Sequence, residues 1–208
     1  MTINSLLIQI ATAIFAVTGV LAAARQNMDV MSFVIIGVVT ALGGGTMRDI
    51  ALGIPVFWLG NPTYLYVAAA AAVATFFFEQ KFRATYSAFL YLDAIGTAVF
   101  CVLAAERTLA LGYVSGVAVV MGILTGVGGG VLRELLTGQP TILTRRELYM
   151  TPILCGVLLY INLARVAPLS QPTSTLLAIL LIAGMRLGSI RWGWGFPSWL
   201  TYKPLKER

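Results

Sequence analysis

Histidine is absent from this 208-residue chain, and charged residues make up only 11% of it. The first absence removes the commonest metal ligand and the usual general base at neutral pH. The second sets the class. Soluble domains carry about 25% charged residues, whereas this chain is 59% hydrophobic with a mean hydropathy of +0.88. Cysteine is scarce too. Cys101 and Cys155 both fall inside apolar runs, where a thiol is expected to be buried and unreactive. Without a nucleophile–base pair or metal-ligand spacing, an enzyme, a cofactor and a metal or redox centre are not expected. Neither is a nucleic-acid partner.

What the chain does have is apolar runs along its whole length, which leave no room for a separate soluble domain. About 20 apolar residues cross the hydrocarbon core, so charge-free runs mark the spans. They predict spans at Ile3–Ala24, Val30–Met47, Thr63–Phe78, Ala84–Ala105, Leu109–Leu132, Leu148–Ala164 and Thr173–Met185. Span four carries one charge, Asp93, and Pro168 and Pro172 mark the loop that leads into span seven. Ala22-Ala23-Ala24 imitates a signal-peptide cleavage site, but the basic start that a signal peptide needs is missing. The first span is therefore expected to be retained.

Two segments are near copies. Residues 43–49 read Gly-Gly-Gly-Thr-Met-Arg-Asp and residues 128–134 read Gly-Gly-Gly-Val-Leu-Arg-Glu, an offset of 85 residues. The same offset pairs Thr12-Ala13-Ile14-Phe15 with Thr97-Ala98-Val99-Phe100, Gly37 with Gly122, Thr40 with Thr125, Gly53 with Gly138, Pro55 with Pro140 and Tyr64 with Tyr149. Spans one to three therefore repeat as spans four to six. An odd number of spans per repeat reverses the second, so the halves are expected to be inverted about an axis in the membrane plane. The division is repeat one at 1–83, repeat two at 84–167, and a seventh span with its tail at 168–208. The expected fold is an all-α membrane protein of seven transmembrane helices, with helices two and five kinked at Gly-Gly-Gly.

The basic residues give orientation. Arg25, Lys81, Arg83, Arg145, Arg146, Arg191, Lys203, Lys206 and Arg208 gather on one side, while Arg107 and Arg165 lie on the other. The N-terminus should be outside and the C-terminus cytoplasmic, in a multi-pass protein of the cell's inner or plasma membrane. Trp192, Trp194, Trp199 and Tyr202 in the tail suit an interfacial belt against membrane lipid. Plain anchoring explains them better than lipid regulation.

Three consecutive glycines weaken a helix by about 1 kcal/mol each and permit positive φ. Gly43, Gly44, Gly45 and Gly128, Gly129, Gly130 are thus expected to bend or open spans two and five. Freed carbonyls survive in a membrane only when buried in protein or lining water, where they can hold a cation weakly. Close helix packing is the simpler use of such glycines. Two triplets at symmetric positions, each followed by an arginine and an acid, favour a transport pathway. Arg48, Asp49, Arg133 and Glu134 cannot sit bare in hydrocarbon. Adjacent residues on a helix do not face each other, so each arginine is expected to find an acid elsewhere or to cross to the opposite repeat. Asp93 is the free candidate, expected to face the interior and bond one of them. Thr40 and Thr125, one turn before the triplets, either line a pore or back-bond within their own helices.

The seven spans and the doubled Gly-Gly-Gly-x-x-Arg-Asp/Glu motif resemble the prokaryotic TRIC proteins, relatives of the trimeric intracellular cation channels of animals. The resemblance covers essentially the whole chain. It implies a homotrimer with one pathway per subunit, selective for monovalent cations and chiefly potassium, with the glycine triplets kinking spans two and five beside the pore. Its topology agrees with the charge count. Glu134 stands where Asp would repeat the first motif, which keeps the charge. Some bacterial members of the superfamily carry small solutes, glycine in particular, and the motif does not separate the two activities. A channel of this composition would draw its selectivity from backbone carbonyls and Asp93. A glycine carrier would need an arginine at a helix break for the carboxylate and Asp93 for the ammonium. The channel is the preferred reading, the carrier the alternative, and a non-transporting scaffold leaves the symmetric breaks unexplained.

Overall fold

The computed structural model describes residues 3–24, 26, 28–82, 86–141, 148–166 and 170–195. Among these described residues eight helices follow in order: α1 (Ile3–Ala23), α2 (Val30–Ala51), α3 (Phe57–Gly60), α4 (Thr63–Phe82), α5 (Tyr86–Ala110), α6 (Ser115–Thr137), α7 (Met150–Val166) and α8 (Gln171–Trp192). Helices α1, α2, α5, α6 and α8 are long and apolar enough to cross a membrane, and Thr63–Phe78 and Met150–Arg165 form shorter apolar stretches. Of the basic residues used for orientation, Arg25, Arg83, Arg145, Arg146, Lys203, Lys206 and Arg208 lie outside the described residues, as do Pro168, Trp199, Tyr202 and the side chain of Lys81.

The expected spans coincide with α1, α2, α4, α5, α6, α7 and α8, with instructive differences at the ends. Span two was drawn to stop at Met47, but α2 runs on to Ala51 and carries Arg48 and Asp49 inside it. Span four extends five residues beyond Ala105, span seven runs past Met185 to Trp192, and span five begins at Ser115 rather than Leu109. In each case the charge-free run was the wrong ruler. Buried, paired charges do not end a helix. A turn at Gly112, which takes φ +87°, does separate α5 from α6.

Local chemistry sets the ends of the repeated helices. Asp29 caps α2, its carboxylate accepting from the Ser32 N–H at 2.7 Å, which holds the Asp29 carboxyl below its usual pKa. Gly53 and Gly138, 85 residues apart, follow the C-termini of α2 and α6 with φ of +66° and +62°, a left-handed turn that other residues resist. The last carbonyls are satisfied across the halves. Tyr113 Oη donates to Leu52 O at 3.1 Å, and Gln26 Nε2 donates to the equivalent Thr137 O at 2.8 Å.

The packing repeats with the sequence. A Cβ on Gly37 would press on Ala72, Ala16 O and Val20, and a Cβ on Gly122 would press on Val157, Cys101 O and Ala105. Every one of those partners is shifted by the same 85 residues. Between the halves, α2 and α6 cross at the triplets. Gly44 lies against the Thr125 carbonyl and Gly129 against the Thr40 carbonyl, while Gly43 meets Leu132 and Gly128 meets Met47. As α2 is followed forwards its partners on α6 run backwards, so two equivalent helices cross antiparallel. One apolar core joins α5, α6, α7 and α8 through Val102, Ala118, Ile153 and Ile182. Another joins α1, α2, α4 and α5 through Phe15, Ala41, Ala68 and Phe100. Large apolar side chains face outwards, among them Met31, Ile35, Tyr66, Phe77 and Leu180, as suits a surface bathed in lipid.

Cys101 is fully buried, whereas Cys155 on α7 is partly exposed, a departure from the expectation that both are buried. A membrane-permeant maleimide is therefore expected to leave Cys101 unmodified in folded protein and to label it after denaturation. Mass spectrometry of the two cysteine peptides reads this directly, and modification of Cys101 in folded protein would contradict the packing.

Candidate functional site

The triplets do not open their helices. Helical structure is continuous through 43–45 and 128–130, so the expected run of freed carbonyls is not formed. The missing side chains serve close approach instead: at Gly44 and Gly129 even one added methyl would collide with backbone of the opposing helix. Gly45 is different, since a Cβ there would lie 2.6 Å from the Phe57 ring, the residue that begins α3. Gly130 faces the Arg133 guanidinium and Tyr149. The threonines back-bond within their own helices, Thr40 Oγ1 to Ile36 O at 2.6 Å and Thr125 Oγ1 to Met121 O at 2.7 Å.

The motif charges pair in two ways. Arg48 turns back on its own neighbour: its Nε and Nη2 donate to Asp49 Oδ1 at 2.8 and 2.7 Å. Asp49 Oδ2 accepts from the Phe57 N–H at 2.8 Å, so one carboxylate holds the arginine and pins the start of α3. The expectation that each arginine must look beyond its neighbour fails here. The rule concerns Cβ directions, and an arginine stem is long enough to bend sideways around the helix. Arg133 does both. Its Nη1 donates to Asp93 Oδ1 at 3.0 Å and to Thr18 Oγ1 at 3.1 Å, and its Nη2 lies 3.5 Å from Glu134 Oε1. Asp93 is fully buried and bonded to a motif arginine, as its isolation in span four led one to expect.

The sequence reading missed Arg186 and Glu106. Arg186, fully buried on α8, reaches Asp93 Oδ2 at 3.4 Å and lies 4.0 Å from the centre of the Tyr149 ring. Arg133 stacks likewise on Phe89 at 4.6 Å. These ring faces help to hold two guanidiniums away from water, and Arg133 Nε, Arg186 Nε and Arg186 Nη1 have no hydrogen-bond partner in the structure. Both carboxylate oxygens of Asp93 are thus engaged by arginines. Glu106 is 6% exposed and accepts from Asn4 Nδ2 at 2.6 Å, Gln171 Nε2 at 2.9 Å and Thr175 Oγ1 at 2.9 Å. The clue to it was polar residues in apolar helices: Asn4 in α1, and Gln171 and Thr175 one turn apart in α8.

A cavity of about 360 Å³ brings Gly45, Arg48, Glu106 and Thr125 together. Exposed Asn61, Arg107 and Ala110 mark its mouth. Buried Gly45, Phe100 and Thr125 form its deep wall, beside the α2–α6 crossing, with Arg48, Glu106 and Ile8 along its sides. The repeat-equivalent positions sit beyond the crossing. Ile8, Gly45, Arg48 and Tyr64 become Asp93, Gly130, Arg133 and Tyr149 there, and Leu103 becomes Thr18. The first set of positions lines the cavity between the halves, whereas Asp93, Arg133 and Thr18 of the equivalent set are bonded together, with Arg186 added from α8.

A family model described as "Glycine transporter" matches residues 6–80 and 90–165. An inner membrane protein of Escherichia coli K12, YadS of the UPF0126 group, is 35% identical over 191 residues, covering 91% of this chain and 92% of its own. A UPF0126 membrane protein of Vibrio cholerae is 36% identical over 194 residues, covering 92% and 81%. Among solved structures, the TRIC trimeric intracellular cation channel orthologue from Rhodobacter sphaeroides superposes with a TM-score of 0.88 at 39% identity, over 93% of this chain and all of that one. The chain belongs to the TRIC family. A second structure, solved to explain conductance through TRIC cation channels, gives a TM-score of 0.87 at 26% identity over the full length of both chains. This TRIC-family chain is accordingly a multi-pass membrane protein.

Proposed function

We propose that this TRIC-family protein is a cation channel that conducts monovalent ions, chiefly potassium, through a pathway in each subunit of a homotrimer, without enzymatic chemistry. The observation that carries the reading is the cavity that descends to the crossing of the two glycine triplets. Likeness to solved TRIC cation channels supports it. In this reading seven helices cross the membrane, α1, α2 and α4 inverted relative to α5, α6 and α7, with α8 added. The N-terminus and the cavity mouth face outside, and the C-terminus faces the cytoplasm. The pathway is closed beyond the crossing by Asp93, Arg133 and Arg186, and bending at Gly43–Gly45 and Gly128–Gly130 opens it. Thr40 and Thr125 flank the narrowest point. Arg48, Asp49 and Glu134 hold the helix ends in place.

A second reading, a carrier for a small zwitterion such as glycine, is favoured by the description of the matching family model. Tracer flux separates the two. Purified protein in potassium-loaded liposomes should admit rubidium without saturating in the low millimolar range and should ignore labelled glycine. Saturable glycine uptake with no rubidium entry would overturn the channel.

A further inference from the structure

We propose that Glu106 is the cation-docking site of this protein. It is the carboxylate in the outer cavity that receives a compact monovalent cationic centre, whether a bare alkali ion or the protonated amine of a small solute. The inference deepens the transport reading above and rests on it for the ion's identity, though not for the site.

The argument starts from the balance of buried charge. Among the described residues three arginines are buried, Arg48, Arg133 and Arg186, against four carboxylates, Asp49, Asp93, Glu106 and Glu134. Asp49 is held by Arg48, and Asp93 and Glu134 by Arg133 and Arg186. Among the described residues the hydrogen-bond partners of Glu106 are the neutral donors Asn4, Gln171 and Thr175. Among the described residues the buried charges therefore sum to a single negative one, at Glu106, in a chain whose net charge is +6. Neutral amides and a hydroxyl stabilise an ionised carboxylate while leaving its charge uncancelled.

The placement suits a site. Glu106 lines the cavity of about 360 Å³ that ends at the triplets. It also lines a second one of about 380 Å³ with Tyr160, Gln171 and Ser174, so it borders two cavities and is reachable from both. Two cations share the first cavity. Arg48 is neutralised by its two bonds to Asp49, and Arg107 is exposed at the mouth, where solvent and salt screen it. Inside low-dielectric walls the one uncompensated charge dominates the local field and concentrates counter-ions. Asp93, once the natural candidate for selectivity, is silenced by its arginines.

The test uses the full-length protein and the isosteric variant Glu106→Gln, with Glu106→Asp as the charge-conserving control. In planar bilayers under a KCl gradient, Glu106→Gln is expected to move the reversal potential towards zero. It should also lower unitary conductance at least about twofold near 30 mM KCl, with the difference vanishing near 1 M salt, where screening is complete. Glu106→Asp should keep the parent's reversal potential. A reversal potential and low-salt conductance unchanged in Glu106→Gln would overturn the proposal. If the parent itself passes no current, the channel reading fails and a second arm still decides the site. In detergent at constant ionic strength, replacing N-methylglucamine by potassium, or adding glycine, should raise the parent's Tm by about 2–4 °C, and Glu106→Gln should lose the response. A shift with potassium names the ion, and a shift with glycine alone names the amine. Equal shifts in parent and variant, or none in the parent with either ligand, would overturn the assignment.

Discussion

Leucine at Gly129 is expected to abolish flux while leaving the protein able to reach the membrane. Gly129 lies against the Thr40 carbonyl and Gly44 against the Thr125 carbonyl, so the contact surface on each side is backbone, which cannot rotate away. Overpacking a well-filled interior typically costs about 1–3 kcal/mol, and a leucine here must push two helices apart. Each 1.4 kcal/mol that shifts the pathway from its working geometry is about a tenfold effect, so rubidium flux per protein should fall more than about tenfold. Gly44→Leu should do the same, because it presents the equivalent collision from the other half. Gly116→Leu is the control: it changes the same residue type near the start of α6, where an added Cβ meets nothing within 4 Å, and it should leave flux unchanged. Parental flux in both crossing variants would show that the triplets are spacers of no consequence.

Asp93→Asn is expected to be the most destabilising single-atom exchange in the chain. It leaves Arg133 and Arg186 facing each other across an amide, both fully buried, with three guanidinium nitrogens already lacking partners. Removing one side of a buried ion pair costs about 3–5 kcal/mol, which in a protein of this size lowers Tm by roughly 6–12 °C or more. Arg186→Met in the same background should recover part of the loss, since it removes the cation that Asp93 alone had paired and replaces it with an apolar side chain. Thermal unfolding in detergent, followed by tryptophan fluorescence, measures both. A single variant as stable as the parent would show that Asp93 does not hold the cluster together.

Those two sites also show what a sequence can carry. The doubled motif was legible because glycine triplets beside an Arg–acid pair are expensive in a membrane and so stand out. Their repetition at 85 residues implied which positions were equivalent, and the Gly37 and Gly122 contacts repeat at that offset. Asp93 was legible for the same reason, as a lone charge in an apolar run. What the triplets do was harder to read. Helix weakening by glycine is a local property that suggested an opened turn, while the contact with Thr40 and Thr125 depends on which helix lies opposite, which no local pattern encodes. Arg186 was hidden by the rule that ends a span at a charge, although Leu187–Ile190 continues the apolar run beyond it. Glu106 fell just past a span end drawn at Ala105. Its partners come from α1 and α8, more than 60 residues away on either side, so only the fold assembles them. The short helix α3 was missed because four residues carry too little periodicity, and its position depends on bonds to α2, from the Phe57 N–H to Asp49 and from Trp58 Nε1 to Thr46.

One recording tests the central claim most directly. Purified protein in a planar bilayer, under a potassium chloride gradient and with no amino acid present, should give discrete unitary currents that reverse close to the potassium potential. A silent bilayer, from a preparation that takes up labelled glycine saturably in liposomes, would contradict the account and make the same cavity the substrate site of a carrier.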